Sequence, residues 1–352
     1  MAAKLRVGIV GMGAIGNVHA EAYQKVDDIE IAALCDADEK VLARAGEKYG
    51  VSNCVSDFDA LLKSDIDVVN VSVGNVLHKK FAIAALEAGK HVFLEKPMAL
   101  NAAEAEEIVA SAKKAGKVLQ IGMVYRFGPE AQLIRDCAKQ GMLGEVYHMS
   151  GVLTRRRGIP GLGGWFTTRA QSGGGPMIDL GVHWFDLSMF LADRWNPTSV
   201  SAKTYAKFGP RMKNYNYVNM WAGPPKLDGT FDVEDYSTGF IRFGEKATMS
   251  FEIAWACNVE RSRYIELLGD KGGVKYCIGE PPVFFTEHGG RPANIQPLYD
   301  KSLNQFEEQA RVLVANCHGE QNEAATGRQG VTVMRLIDAI YASSEANREI
   351  DL

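Results

Sequence analysis

Near its start the chain runs Leu5-Arg6-Val7-Gly8-Ile9-Val10-Gly11-Met12-Gly13-Ala14-Ile15-Gly16-Asn17-Val18-His19-Ala20-Glu21-Ala22-Tyr23. Leu5 to Val10 is an apolar run of strand length, and Asn17 to Tyr23 carries a helical pattern. Between them stands GxGxxG, with Gly11, Gly13 and Gly16 as its glycines and Met12, Ala14 and Ile15 in the variable places. The first glycine permits a tight turn, the second lets main chain approach a pyrophosphate, and the third lets the helix lie close on the strand. Unpaired N–H groups and the helix dipole then favour phosphate charge. The motif by itself is weakly specific, but its strand–turn–helix setting is met.

The chain next reads Ile29-Glu30-Ile31-Ala32-Ala33-Leu34-Cys35-Asp36, a second strand ending in an acid. Asp36 comes about 20 residues after the glycine turn, where a carboxylate accepts hydrogen bonds from adenosine ribose hydroxyls. A carboxylate there repels a 2′-phosphate, and Ala37 and Asp38 bring no compensating cation. NAD is therefore favoured over NADP. Asp36 also suits a helix N-cap, and the two roles are compatible. Two further βα units follow, over Val51 to Lys63 and Ile66 to Ala88, the second with a Gly74-Asn75 turn before a helix from His78. Six strands alternating with helices predict a doubly wound parallel sheet, an α/β fold.

His91-Val92-Phe93-Leu94-Glu95-Lys96-Pro97 is the most informative of these strands. Proline cannot donate to a sheet ladder, so the strand stops there and leaves Glu95 and Lys96 at its carboxyl end. Ligands of open α/β sheets bind along that edge. A lysine whose stem is held in protein loses hydration, which lowers its pKa and lets it exchange a proton near neutral pH. The plainer alternative is a strand end whose charges reach solvent.

The chain has 352 residues, more than one core usually serves, and a net charge of -4. Hydrophobic residues make up 46% and charged residues 23%, ordinary for a globular protein. With no basic excess, nothing argues for nucleic acid or an anionic membrane surface. Arg155-Arg156-Arg157 is a local basic cluster, read as a solvated face or an anion site. The six cysteines (Cys35, Cys54, Cys137, Cys257, Cys277 and Cys317) form no CxxC pair, which suits a reducing cytosol. No signal peptide and no membrane-spanning run are expected, so the predicted location is cytoplasmic.

Beyond residue 123, Pro129 sits at the start of a helix and Val146 to Arg155 reads as a strand. A glycine-rich loop, Gly158 to Gly164, ends at Trp165. Gly173-Gly174-Gly175 then precedes a helix in which Asp179 and His183 are four apart and Asp186 three further, which predicts one shared face. Three readings compete for this trio: a general acid/base site, a metal site allowed by the spacing, and a satisfied interior histidine. Strands over 199–208, 237–243, 247–256 and 264–269, with short ones over 272–277 and 283–286, predict an open, largely antiparallel or mixed sheet. The aromatic segment Tyr215-Asn216-Tyr217-Val218-Asn219-Met220-Trp221 is either a stacking surface for sugars or a loop or oligomer anchor.

Gly11 to Gly16, Ala84-Ala85-Leu86-Glu87-Ala88-Gly89-Lys90 with His91 to Pro97, Gly173 to Asp186 and Met334 to Ser344 together resemble the glucose–fructose oxidoreductase and inositol dehydrogenase (Gfo/Idh/MocA) family over nearly the whole chain. One departure is Val73-Gly74, where many relatives carry Thr-Pro before the asparagine. The resemblance implies a Rossmann domain, here 1–123, and an α/β domain for substrate binding and oligomerisation, here 124–352, with the active site in the cleft between them. It implies no metal and gives Lys96, Asp179 and His183 as catalytic positions. It also folds the Trp165 region over the nicotinamide, against the alternative of a core tryptophan.

The expected NAD contacts are then Gly11, Met12, Gly13, Ala14, Ile15, Gly16, Asp36, Val73, Gly74, Asn75, His78, Glu95, Lys96 and Trp165. The expected substrate contacts are Lys96, Tyr125, Arg126, Arg156, Asp179 and His183. The implied reaction moves hydride between a secondary hydroxyl of a pyranose, glycoside or cyclitol and the nicotinamide, with C3 of a glycoside as the narrower expectation. An NAD-dependent glycosidase and a non-catalytic NAD/sugar sensor are the rivals. A sheet with one uncovered face predicts a homo-oligomer, a tetramer before a dimer.

Overall fold

Glycines and short polar caps divide the apolar runs of the first unit into βα repeats. In the computed structural model, which describes residues 4–217, 220 and 222–352, these are β1 (Leu5–Val10), α1 (Ala14–Tyr23), β2 (Ile29–Cys35), α2 (Glu39–Tyr49), β3 (Cys54–Val55) and α3 (Phe58–Leu62). Then come β4 (Val68–Val71), α4 (His78–Glu87), β5 (His91–Leu94), α5 (Ala102–Ala115) and β6 (Leu119–Ile121). The α2 N-cap is Asp38, whose carboxylate accepts from the Lys40 and Val41 amides, so the capping role considered for Asp36 belongs to Asp38.

The sheet order is β6-β5-β4-β1-β2-β3, all parallel, with a short antiparallel strand added beside β6. The order reverses between β4 and β1, and such a switch opens a ligand crevice at the strands' carboxyl ends. The unit is closed by a returning segment, Leu303–Val331. Its apolar residues Ala310, Leu313 and Val314 join Val7, Ile9, Tyr23 and Phe93 in one buried cluster. The chain therefore does not divide at a single point after residue 123: the apolar stripe of this late segment is buried with the first core.

The second unit takes in 128–302 and 332–352, with Leu100–Ala102. Its elements are α6 (Pro129–Lys139), β7 (Val146–Thr154), α7 (Arg169–Ser172), α8 (Val182–Ala192), β8 (Ser199–Tyr205), β9 (Tyr236–Phe243), β10 (Ala247–Ala254), β11 (Ser262–Gly269), β12 (Gly273–Cys277), β13 (Val283–His288) and β14 (Arg291–Ile295). After them α9 (Gln305–Cys317), β15 (Ala325–Thr326), α10 (Gly327–Ala346) and β16 (Ile350–Asp351) complete the chain. Among the described residues, nine strands form one mixed sheet, β14-β13-β12-β11-β7-β10-β9-β8-β16, in which only β7 and β10 pair in parallel.

Along β10 the burial alternates, with Met249, Phe251 and Ile253 inward. Helix α8 covers that inner face: Trp184 donates to the Val152 and Tyr264 carbonyls, and Phe185 meets Phe251 edge-on. Near the sheet's β8 edge, the Ala202 and Thr204 amides donate to the Ser343 and Ser344 hydroxyls of α10, which blunts the edge. Among the described residues no helix is long and apolar enough to cross a membrane.

Candidate active site

In the first unit, the carboxyl ends of β1, β2, β4, β5 and β6 bring together the glycine turn, Asp36, Val73–Asn75, Glu95–Lys96 and the segment leading to Tyr125. Gly11 has φ +91° and faces the Ser72 carbonyl, so a side chain there is excluded both by conformation and by space. A Cβ on Gly16 would collide with the Gly11 carbonyl oxygen, so the third glycine is the close-packing one. Gly13, by contrast, faces open space and caps α1 without any side-chain hydrogen bond. An open glycine at an uncapped helix N-terminus is the cradle a pyrophosphate needs, and the residues fit the group.

Asp36 is half-buried beside this cradle: one oxygen accepts from the Met12 amide at 2.7 Å and the other from the Asp38 amide at 2.9 Å. Each oxygen keeps acceptor capacity for a ribose hydroxyl. Met12 itself is a core side chain, so its part in the turn is made by main chain.

The corner after β5 is held tightly. Glu95 is only 6% exposed; one oxygen lies 2.7 Å from His19 Nε2 and the other accepts from the Lys96 amide at 3.0 Å. The Lys96–Pro97 peptide is cis. His78, buried, sets Nδ1 2.6 Å from the Pro97 carbonyl oxygen and Nε2 3.1 Å from that of Val73. Burial pushes its pKa below the ordinary histidine value. The side chains of Glu95 and His78, expected among the NAD contacts, are thus turned inward onto protein groups.

Arg126, expected among the substrate contacts, is 1% exposed, and its guanidinium donates to Gln329 Oε1 at 3.1 Å and the Glu323 carbonyl at 3.4 Å. A side chain so enclosed cannot touch a substrate; it ties the returning segment to the segment after β6. Tyr125 next to it is half-buried and Lys96 likewise.

In the second unit, Asp179 and His183 do not share a regular helix. Met177–Gly181 forms a π-helical turn that passes into α8 at Val182. Its i→i+5 pairing widens the helix, so the shared face expected from i, i+4 spacing no longer follows; such turns recur at functional sites. Asp179 is buried and its Oδ2 accepts from the indole N–H of Trp255 at 2.9 Å. His183 is half-buried.

The glycine segment before the π-turn is pinned by Glu234. This buried carboxylate accepts from the Gly175 and Met177 amides at 3.1 Å and the Tyr341 hydroxyl at 2.9 Å, with Arg169 3.9 Å away. Burial, reinforced by the Glu234 charge, holds the Tyr341 hydroxyl well above its usual pKa. Among the described residues no group of three His, Cys, Asp or Glu side chains is placed to hold a metal ion.

Trp165 is 39% exposed and stacks on Phe166, which removes the core-tryptophan alternative. Arg156 is exposed. Tyr215 is buried, its hydroxyl accepting from the Ile159 amide at 3.4 Å, and burial pushes its pKa up to about 12. That residue is an anchor for the glycine-rich loop. Tyr217 is exposed, and Val218, Asn219 and Trp221 of the aromatic segment lie outside the described residues.

Sequence reasoning missed the supports: His19, Glu234 and Trp255. His19, a lone histidine among small residues of α1, was the one visible signal.

Comparison with known proteins identifies the family and the fold. Residues 5–123 match the family profile described as an oxidoreductase family with an NAD-binding Rossmann fold, and residues 131–275 match the GFO/IDH/MocA C-terminal domain. The chain is 31% identical to D-glucoside 3-dehydrogenase of Escherichia coli K12, over 99% of this chain and 97% of that one. It is 30% identical to myo-inositol 2-dehydrogenase of Thermotoga maritima, over 99% and 98%. Among solved structures, an oxidoreductase domain protein from Kribbella flavida superposes with a TM-score of 0.87 at 25% identity, covering 99% of both chains. With both profiles matched in order and relatives aligned from end to end, the chain belongs to the GFO/IDH/MocA oxidoreductase family, with an NAD-binding Rossmann fold as its first part.

Proposed function

We propose that this protein is an NAD-dependent dehydrogenase acting on a secondary ring hydroxyl of a pyranose, glycoside or cyclitol, in the narrower reading C3 of a glycoside. The carrying observation is the Lys96 corner: a lysine fixed by buried contacts at the carboxyl end of β5, in the same sheet edge as an open glycine cradle. The named activities of the two end-to-end relatives, on a glucoside and an inositol, support the substrate class.

NAD, when bound, supplies the hydride acceptor of the reaction. Gly13, Ala14 and Ile15 offer main-chain N–H groups to its phosphates, and Asp36 receives its ribose hydroxyls and disfavours a 2′-phosphate. His183 takes the hydroxyl proton as the C–H bond is broken, so one substrate hydroxyl becomes a carbonyl and one proton leaves with the base. The Lys96 ammonium stabilises charge developing on that oxygen. Asp179, oriented by Trp255, holds a neighbouring hydroxyl or His183. Tyr125, Arg156 and Trp165 complete the contacts to substrate and nicotinamide.

The protein works in the cytoplasm as a homo-oligomer, a tetramer before a dimer. The support is that Phe240 on β9 and Leu268 on β11 stand exposed while the alternate residues of the sheet are buried. Light scattering that reads a monomer at micromolar concentration would refute the assembly.

The activity is tested by following NADH formation over a panel of free sugars, alkyl and aryl glucosides and inositols. Steady NADH formation with a ring ketone as product is the expected result. Release of free sugar with no net NADH would instead reveal a glycosidase, and NAD binding without turnover on any member would reveal a sensor.

A further inference from the structure

Three segments expected to face NAD and substrate converge, inside the first unit, on two buried imidazoles that the reaction above does not use. His19 lies on α1, the helix whose N-terminus carries the glycine cradle, and is packed among Tyr23, Phe93 and Phe306. Its Nε2 meets Glu95 Oε1, and Glu95 Oε2 receives the Lys96 amide. His78 lies at the start of α4 and faces the Pro97 carbonyl with one nitrogen and the Val73 carbonyl with the other. The residues on either side of the Lys96 side chain are therefore gripped from two helices, at the amide N–H of Lys96 and at the carbonyl of Pro97. The Val73–Asn75 loop is joined to the same corner through His78.

Neither imidazole nor Glu95 is accessible to a ligand, since all three side chains are buried. We infer that His19, acting through Glu95, and His78 are positioning residues for Lys96: they fix the main chain from which the ammonium projects and lock it to the glycine turn and to the loop after β4. The inference rests on the reading of Lys96 as the group that meets the reacting oxygen. A displacement of about 1 Å in such a group costs on the order of 10²-fold in rate, so the grip is worth that much to turnover and little to substrate binding.

The test is a mutant cycle measured on the full-length protein saturated with NAD, with kcat and KM read separately. The paired change His19→Leu with Glu95→Leu removes both contacts without stranding a buried charge. It is expected to lower kcat by on the order of 10²-fold with lysine at position 96, and by no more than about twofold once Lys96→Ala is present, because residues acting as a unit are not additive. NAD affinity, followed by NADH fluorescence, should stay within about threefold. His78→Leu enters the same cycle with the same expected pattern.

Glu95→Gln is nearly isosteric and serves whether or not the paired variant folds. Its amide oxygen can still accept from the Lys96 amide and its nitrogen can donate to His19, so kcat should hold within about twofold. Equal losses in both backgrounds would overturn positioning in favour of a purely structural role. A Glu95→Gln loss as deep as that of Lys96→Ala would overturn it in favour of the Glu95 charge. If Lys96→Ala alone leaves kcat unchanged, the functional reading of Lys96 falls first, and the positioning role falls with it.

Discussion

The Lys96 corner and the Asp179 turn are built on opposite plans. At the first, the contacts grip main chain: Glu95 receives the Lys96 amide and His78 approaches the Pro97 carbonyl, so the ammonium is placed by the backbone it hangs from. At the second, the grip is on the carboxylate itself, through the Trp255 indole, while Glu234 pins the amides of Gly175 and Met177 one turn earlier. A long, flexible side chain is placed by its rigid root; a short carboxylate must have its own orientation set. In both places the support is a buried polar group that is satisfied, the arrangement that rigidifies a site rather than merely stabilising it.

The contrast is tested most severely by removing the groups proposed to act on substrate. Lys96→Ala and His183→Ala should each lower kcat by roughly 10²–10⁴-fold, and the double variant should be little worse than the poorer single one. Single-turnover hydride transfer at saturating NAD is the measurement. Near wild-type rates for His183→Ala would make that residue structural and shift the proton to another base, with Tyr125 the first to examine.

Smaller effects should follow from the supports. Trp255→Phe keeps an aromatic ring, though a smaller one, and removes the donor to Asp179, a hydrogen bond to a charged group worth ~1.5–3 kcal/mol. Its kcat/KM should fall by about tenfold to a hundredfold. An unchanged kcat/KM would mean that Asp179 needs no orienting partner.

At the cradle, Asp36→Ser removes a negative charge and the acceptor for the Met12 amide. NAD binding should weaken by roughly 5–30-fold, about 1–2 kcal/mol, while NADP becomes acceptable. A wild-type protein that binds NADP more tightly than NAD would contradict the role assigned to Asp36.

The smallest effect concerns acid stability. Burial lowers the pKa of His78, His91 and His148 in the folded protein. Unfolded histidines titrate near pH ~6.5, so below that pH the unfolded chain binds more protons than the folded one. Stability should therefore be flat above pH ~6.5 and fall as pH drops from there toward the lower folded values, and His78→Gln should flatten part of that fall. Thermal unfolding scans across this range check it. A His78→Gln protein that loses as much on acidification as wild type would show that His78 takes no part.

Much of this was legible in the sequence. The strand–GxGxxG–helix run located the cradle, and Gly11 and Gly16 are where the turn admits no side chain. The end of β5 at Glu95-Lys96-Pro97 was read from proline's missing N–H, and the family resemblance carried Lys96, Asp179 and His183. Three of the expected ligand contacts have side chains buried on protein groups. Arg126, Glu95 and His78 stand beside the motifs that carry the family resemblance, and adjacency along the chain does not fix where a side chain points. Here they are buried on partners far away in sequence or on main-chain carbonyls.

Read as a string of residues, the chain settles local matters: where strands end, which glycines must be glycines, and where an acid follows the glycine turn. These follow from steric limits and short-range hydrogen bonding, which act within a few residues. It took the folded molecule to establish that His19 reaches Glu95, that Trp255 reaches Asp179, that Glu234 holds the glycine segment, and that 303–331 returns to the first core. The hydrogen-bonded pairs among these are separated by 57 positions or more, and the β7–β10 parallel pairing is of the same kind. Hydrophobic burial brings such partners together without regard to their spacing along the chain, so periodicity and motif carry no trace of them.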